Sequence, residues 1–326
     1  MKRKIYAFAL AAAFIASMPF SSAFTAAAAG EFDDEDVAAA SEWPAVDANI
    51  DFLQYYAPET AQSPVAATPD IDEETAHREM LSEIPNGIEV YINEKYCCFD
   101  VPARLIESTT YVPIRACAEA MGDYEVLWED GKAKITGDRL SVEIVPNSNY
   151  ITANGRYIYA PTGIRLVEDT TMIPIRVLAD AFCAEVLWDG DVHITTTDDV
   201  IENGDTFYNE DDVHWLSRII NAEARGECLE GKIAVGNVVM NRVASDTCPD
   251  TIYDVIFDFE HGIQFTPAYT GTIYNTPTEE SIIAAKLVLD GADVAGDAMY
   301  FASIKNCWAA YARPFLMSIG NHDFYA

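Results

Sequence analysis

The feature that most constrains this chain is a repeat within it. Tyr111–Thr136, YVPIRACAEAMGDYEVLWEDGKAKIT, returns as Met172–Thr195, MIPIRVLADAFCAEVLWDGDVHIT. Pro113 and Pro174 stand 61 residues apart, as do Arg115 and Arg176, whereas Trp128 and Trp188 stand 60 apart, so one residue is lost after the helix. Self-similarity at a fixed period means copies of one supersecondary unit that bury a core together. Each unit reads as a short strand, a two-turn helix (Ala116–Met121, then Val177–Phe182) and a hairpin turning at Asp130-Gly131 or Asp189-Gly190, with a further hairpin at Asn154-Gly155. Residues 87–197 are therefore expected to form a compact α+β module with its tryptophans in the core.

The flanks divide the rest. Lys2, Arg3 and Lys4, the apolar run Ile5–Phe20 and the small residues Ser21–Ala29 read as a signal peptide over 1–29, with an uncleaved anchor as the alternative. No later stretch is apolar and long enough to span a bilayer, so the chain is expected outside the cell, secreted or wall-associated, as a monomer. Residues 30–86, rich in Ala, Asp and Glu and broken by Pro44, Pro58, Pro64 and Pro69, read as an acidic linker. A second linker is expected over 198–208 and one further domain over 209–326. With 20 Lys+Arg against 53 Asp+Glu, the net charge of −33 argues against nucleic acid or an anionic membrane as partner. An anionic substrate would have to be recognised at short range.

The order V-P-I-R, short helix, V-x-W, D-G hairpin resembles the copper amine oxidase N-terminal domain-like, or stalk, family. That resemblance implies a spacer or wall-associated accessory role and does not imply copper, since His193 is the only histidine in the two units. The seven cysteines match no zinc pattern; Cys228–Cys248 is the most local disulfide choice and buried free thiols are the alternative.

In the last domain one carboxylate stands out. Asn209 or Asp211 can cap a helix through Trp215, Leu216, Ile219 and Ile220 that Gly226 ends. Glu223 falls four residues after Ile219 and seven after Leu216, on the apolar face and in the last turn. Burial and the helix dipole both disfavour its ionised form, as a general acid requires. The competing reading is structural: a capping role, or a pair with Arg225 or Arg242. Gly231–Val243 reads as a central buried helix whose Asn237 and Asn241 either line a cleft or satisfy buried backbone. Thr276-Pro277-Thr278-Glu279 reads as a capping box opening a helix to Asp290, which gives Glu279 and Glu280 a structural reason to be there.

The sequence NAEARGE, then AVGNVVMNRV, QFTP, MYF and SIGNHDFY in that order resembles the cell wall hydrolase family of the spore cortex-lytic enzyme SleB. The resemblance implies a mainly α, lysozyme-like catalytic domain behind the α+β stalk-like module, hence a multidomain chain. It implies peptidoglycan, vegetative wall or spore cortex, as the partner, with cleavage of the MurNAc-GlcNAc glycan strand and Glu223 as the one catalytic residue. Gln264, Phe265, Tyr300, Asn321 and Asn241 are the expected substrate-binding residues, with no cofactor and no metal. A two-carboxylate hydrolase would need a partner for Glu223 among Asp246, Asp250, Asp254, Asp258, Glu260 and Asp323, and no spacing selects one. Lytic transglycosylase chemistry needs Glu223 alone. A metallo-amidase lacks its H-E-x-x-H, and a non-catalytic wall-binding protein remains the rival. Residues from about 205 onward are expected to fold and act alone.

Overall fold

A computed structural model describes residues 72–260, 262–303 and 312–326. The signal peptide, most of the acidic linker, His261 and Cys307 lie outside the described residues. The end of the presumed linker, however, is a helix, α1 (Glu73–Glu83), capped by Asp72 and packed through Leu81. Acidic composition hid it, because the apolar contribution comes from a single buried leucine.

Turn chemistry builds the repeat module. Asp130-Gly131 and Asn154-Gly155 take the two consecutive positive φ angles that a tight hairpin needs, and the strands they join pair as Glu129 with Lys132 and Ala153 with Arg156. In the second copy the turn at Asp189-Gly190 is one residue wider, with Trp188 opposite Val192. Helices α2 (Ile114–Met121) and α3 (Ile175–Ala181) follow strands Thr109–Pro113 and Thr170–Pro174 directly. These two strands pair antiparallel, with Val112 opposite Ile173, its own equivalent 61 residues on. A local twofold axis, normal to the sheet, therefore relates the copies and puts equivalent residues on the same face.

The copies also exchange hairpins. Strands Val90–Ile92 and Lys95–Tyr96 of the first copy complete a sheet with Glu185–Trp188 and Val192–Thr195 of the second. Their equivalents in the second copy, Tyr150–Ala153 and Arg156–Tyr159, join Glu125–Glu129, Lys132–Thr136 and Ser141–Ile144 of the first. Neither copy closes a sheet alone, and one core runs through both. The tryptophans are not in that core: Trp128 is 51% and Trp188 44% exposed. Each lies on an edge strand where only the valine two residues earlier turns inward or half inward.

The C-terminal domain is a layer of three mutually packed helices, α5 (Glu210–Ala224), α6 (Leu229–Val243) and α9 (Glu279–Leu289), with the short α7 (Ile252–Ile256) and α8 (Thr266–Thr270) beside them. Gly236 lets them approach: a Cβ there would lie 2.8 Å from Val288 of α9 and 3.0 Å from Ile220 of α5. The cap of α9 is Thr278, bonded to the Ser281 amide, two residues later than the Thr276 box. Strands Tyr300–Ala302, His322–Tyr325 and Phe315–Ile319 form a small sheet against α6, with His322–Tyr325 in the middle.

Residues 198–208 are no slack linker either. Ile201 is buried in the repeat core, and α4 (Gly204–Phe207) packs so closely on the Asn154-Gly155 turn that a Cβ on Gly204 would sit 2.4 Å from the Gly155 carbonyl. Asp290, at the end of α9, accepts from Arg156 (2.6 and 3.1 Å) and from the Tyr208 hydroxyl (2.6 Å), which in turn accepts from the Tyr157 amide (2.9 Å). Tyr150, Tyr157 and Tyr159 pack on the C-terminal core. The two domains thus share a buried junction, so residues 205–326 alone would leave the buried Asp290 carboxylate with one partner fewer. Asp290→Asn is expected to cost the full chain about 3–5 kcal/mol, as loss of one partner of a buried ion pair does. The same change in a 205–326 fragment should cost far less, and comparing the four unfolding curves checks this.

Candidate active site

Asn209 starts α5 by accepting from the amides of Asp211 and Asp212 (2.9 and 3.1 Å), and Leu216, Ile219, Ile220 and Ala224 bury one face. Asn221 on the same helix receives the Thr278 amide and the Ser281 hydroxyl, fixing α5 against the start of α9. Glu223 is then held on the apolar face at the wall of a cleft of about 230 Å³, shared with Arg242, Gln264, Phe265, Phe301 and His322. Among the described residues it has no ion pair or hydrogen bond, and Arg225 and Arg242 do not reach it. Burial alone pushes its carboxyl from 4.5 up to about 7.

Among the described residues no other carboxylate lines the cleft. Asp254 is engaged by the Thr251 hydroxyl (2.7 Å) and Asp323 by that of Ser318 (2.6 Å), while Asp258 accepts the Glu260 amide (3.0 Å). The chemistry on offer is therefore one protonated carboxyl in a partly apolar hollow, with donors beside it. Arg242, buried on α6, gives Nε to the Met299 carbonyl (2.8 Å) and a guanidinium nitrogen to Gln264 (3.4 Å), and lies over the rings of Phe265 and Tyr300.

The residues expected to bind substrate divide. Gln264 and Phe265 line the cleft. Tyr300 stands behind it, between Arg242 and Arg313, whose guanidinium bonds its hydroxyl at 2.9 Å. Asn241 lies outside it and donates to the carbonyls of Gly296 and Ala298 (2.6 and 2.9 Å), and Asn237 likewise bridges Ala292 and Val294. The two amides satisfy buried backbone rather than facing a ligand. Asn321 is also engaged: its amide and its side chain both bond the Glu227 carboxylate (2.9 and 3.0 Å), which holds that carboxyl below its usual range.

The residue next to it was missed. His322, 5% exposed, faces the cleft with its ring edge-on to Phe301 at 5.3 Å. Burial lowers its pKa, so the ring is neutral, and its buried Nδ1 has no partner among the described residues. The signal lay in the closing SIGNHDFY, where Asn321 is the residue the resemblance points to and the histidine beside it gives no spacing that marks it.

Residues 91–196 match the family model described as copper amine oxidase N-terminal domain, and residues 226–325 the one described as cell wall hydrolase. Glu223 lies just ahead of the second match. The chain is similar to the spore cortex-lytic enzyme of Halalkalibacterium halodurans, 34% identical over 119 residues, 36% of this chain and 35% of that one. It is also similar to that of Bacillus cereus, 34% over 122 residues, 36% and 45% of the two chains. The chain thus spans less than half the length of these curated relatives. Among solved structures it is similar to the catalytic domain of the germination-specific lytic transglycosylase SleB from Bacillus anthracis, at 32% identity over 39% of this chain and 100% of that one, TM-score 0.34.

Because the folded state holds the Glu223 proton to higher pH than the unfolded chain does, this group favours folding below about 4.5 and loses that contribution as pH rises through about 7. The loss amounts to roughly 3 kcal/mol, at about 1.4 kcal/mol per unit of pKa. Glu223→Gln should flatten the fall in stability across that window and leave the variant the more stable form at pH 8, measured by denaturant unfolding at each pH.

Proposed function

Since the C-terminal region of this chain belongs to the cell wall hydrolase family that includes SleB, carried behind a copper amine oxidase N-terminal-like module, we propose that it cleaves the glycan strand of peptidoglycan as a lytic transglycosylase. The observation that carries this reading is the carboxyl of Glu223: pushed by burial up to about 7 and, among the described residues, unpaired and with no second carboxylate in its cleft. A hydrolase of the two-carboxylate kind needs that second group to activate water or to attack the sugar.

In the proposed reaction Glu223 gives its proton to the glycosidic oxygen as the C1–O bond breaks. The carboxylate so formed takes the proton of the muramic acid 6-hydroxyl, whose oxygen closes on C1. Glu223 ends as it began, one bond is broken and one formed, and no water is consumed. The attacking hydroxyl is already in the substrate, at high effective concentration. Arg242, Gln264 and neutral His322 are the polar groups placed to orient the sugar, and Phe265 and Phe301 the apolar wall.

Two measurements test the chemistry. Muropeptides released by the full chain should end in 1,6-anhydro-muramic acid and carry no heavy oxygen after digestion in labelled water; labelled reducing ends would mean a muramidase. Since the acid form is required, kcat/KM should fall about tenfold per pH unit above about 7. Glu223→Gln should abolish lysis at every pH without unfolding the protein. Full lysis by that variant would assign the chemistry to another residue.

A further inference from the structure

The repeat module carries two clefts that the proposed chemistry does not use. One, of about 300 Å³, lies between Arg115 and Trp128 of the first copy and is closed by Asp169, Thr170 and Thr171 of the second. The other, of about 460 Å³, lies between Arg176 and Trp188 of the second copy and is closed by Ser108, Thr109 and Thr110 of the first. The threonines, arginines and closing turn residues correspond at 61 residues and the tryptophans at 60, so the local twofold through Val112 and Ile173 generates one cleft from the other. A single half-exposed indole on an edge strand would call for no explanation, but here it occurs twice, over equivalent hollows.

The contents of each cleft narrow what fits it. A flat indole face offers an apolar platform with a negative centre, which suits the C–H face of a pyranose ring. Thr170 and Thr171 or Thr109 and Thr110, the arginine and Asp169 or Ser108 line the same hollow, and residues of these types supply both donors and acceptors, as a rim of ring hydroxyl and acetamido groups requires. A chain of net charge −33 repels a polyanion at a distance, and one arginine per cleft, with Asp100 and Asp169 also lining the first, does not reverse that. An uncharged pyranose polymer is therefore the ligand class favoured over nucleic acid or anionic lipid.

We propose that these paired tryptophan clefts are carbohydrate-binding sites, and that they hold N-acetylated glycan strands of the wall while the C-terminal cleft acts. The identity of the glycan rests on the function proposed above; the existence of the sites does not. Two weak sites on one rigid module, meeting a polymer that presents many equivalent rings, bind far more tightly together than either does alone.

The test uses the full chain carrying Glu223→Gln, so that the wall is not consumed, sedimented with purified insoluble peptidoglycan and titrated with soluble N-acetylglucosamine oligomers by tryptophan fluorescence. Trp128→Ala or Trp188→Ala should each weaken wall binding by about tenfold, and both together by more than either alone. Trp128→Tyr and Trp188→Tyr, which keep an aromatic ring, should restore most of it. Leu166→Ala, which removes an exposed leucine that lines neither cleft, should change nothing. Undiminished binding by a folded Trp128→Ala/Trp188→Ala variant overturns the proposal, as does tryptophan-dependent self-association without any glycan, which would mean that the clefts hold a second copy. If the unmutated chain fails to cleave the wall but binds it through these tryptophans, the catalytic reading falls and the binding sites stand.

Discussion

A buried ammonium governs the C-terminal domain. Lys232, on the first turns of α6, is 1% exposed, and a charge in that position is tolerated only if fully paired. It bonds the Glu280 carboxylate at 2.6 Å and the Glu227 carbonyl, so it ties the start of α9 to the α5–α6 connection. The Glu227 side chain then clamps Asn321, in a turn so tight that a Cβ on Gly320 would meet Glu227 Oε2 at 2.1 Å. The next residue is His322, one wall of the cleft. A line of short polar contacts thus runs from the middle of the helical layer to the rim of the site, and places the last strand of the chain opposite Glu223. Glu280 had been given a structural role as a helix-dipole partner; its larger role is to neutralise this lysine.

What the sequence disclosed and what it concealed follow from the range of each interaction. The repeat, its turns and the helix bearing Glu223 rest on contacts within a few residues, and their signals are periodicity, Asn-Gly or Asp-Gly pairs and an asparagine cap. The exchange of hairpins between the copies depends on pairings 100 residues apart, such as Tyr91 with His193, and no local pattern records them. The tryptophans were misplaced for the same reason. V-L-W reads as an inward-facing strand, and only the sheet order shows that Glu125–Glu129 and Glu185–Trp188 are edges with one covered face. Acidic composition misled in a different way, since Ile201 and Tyr208 suffice to pin a stretch that is otherwise polar.

At the site, a carboxylate on an apolar helix face is a strong signal because burying it is unfavourable wherever it has no partner, and Glu223 has none among the described residues. Amides give a weaker one. Asn241 and Asn321 can serve backbone or ligand equally well, and both serve the protein. Arg242 was read as a possible counter-ion for Glu223, yet it shares the cleft without pairing to it. Its donors go to Met299 and Gln264, which leaves the carboxyl free of the cation that would have drawn its pKa down. The pair that would have stabilised the fold would have removed the acid.

The junction between the two domains has a mechanical consequence of the same kind. Arg156, Tyr208 and Asp290 form a buried triad, and Lys286 of α9 lies over the rings of both Tyr157 and Tyr208, at 5.3 and 5.1 Å. A flexible tether would raise only the local concentration of the C-terminal cleft near a surface that the module contacts. A packed junction also fixes orientation, so that contact made by the module sets the angle of the Glu223 cleft to whatever the module contacts. On the function proposed above, that matters most because the substrate would be a cross-linked solid, in which strands cannot rotate to suit the enzyme. A chain of net charge −33 has little to gain from electrostatic steering toward an anionic surface. Short-range contact and a fixed angle of approach are the means this architecture retains.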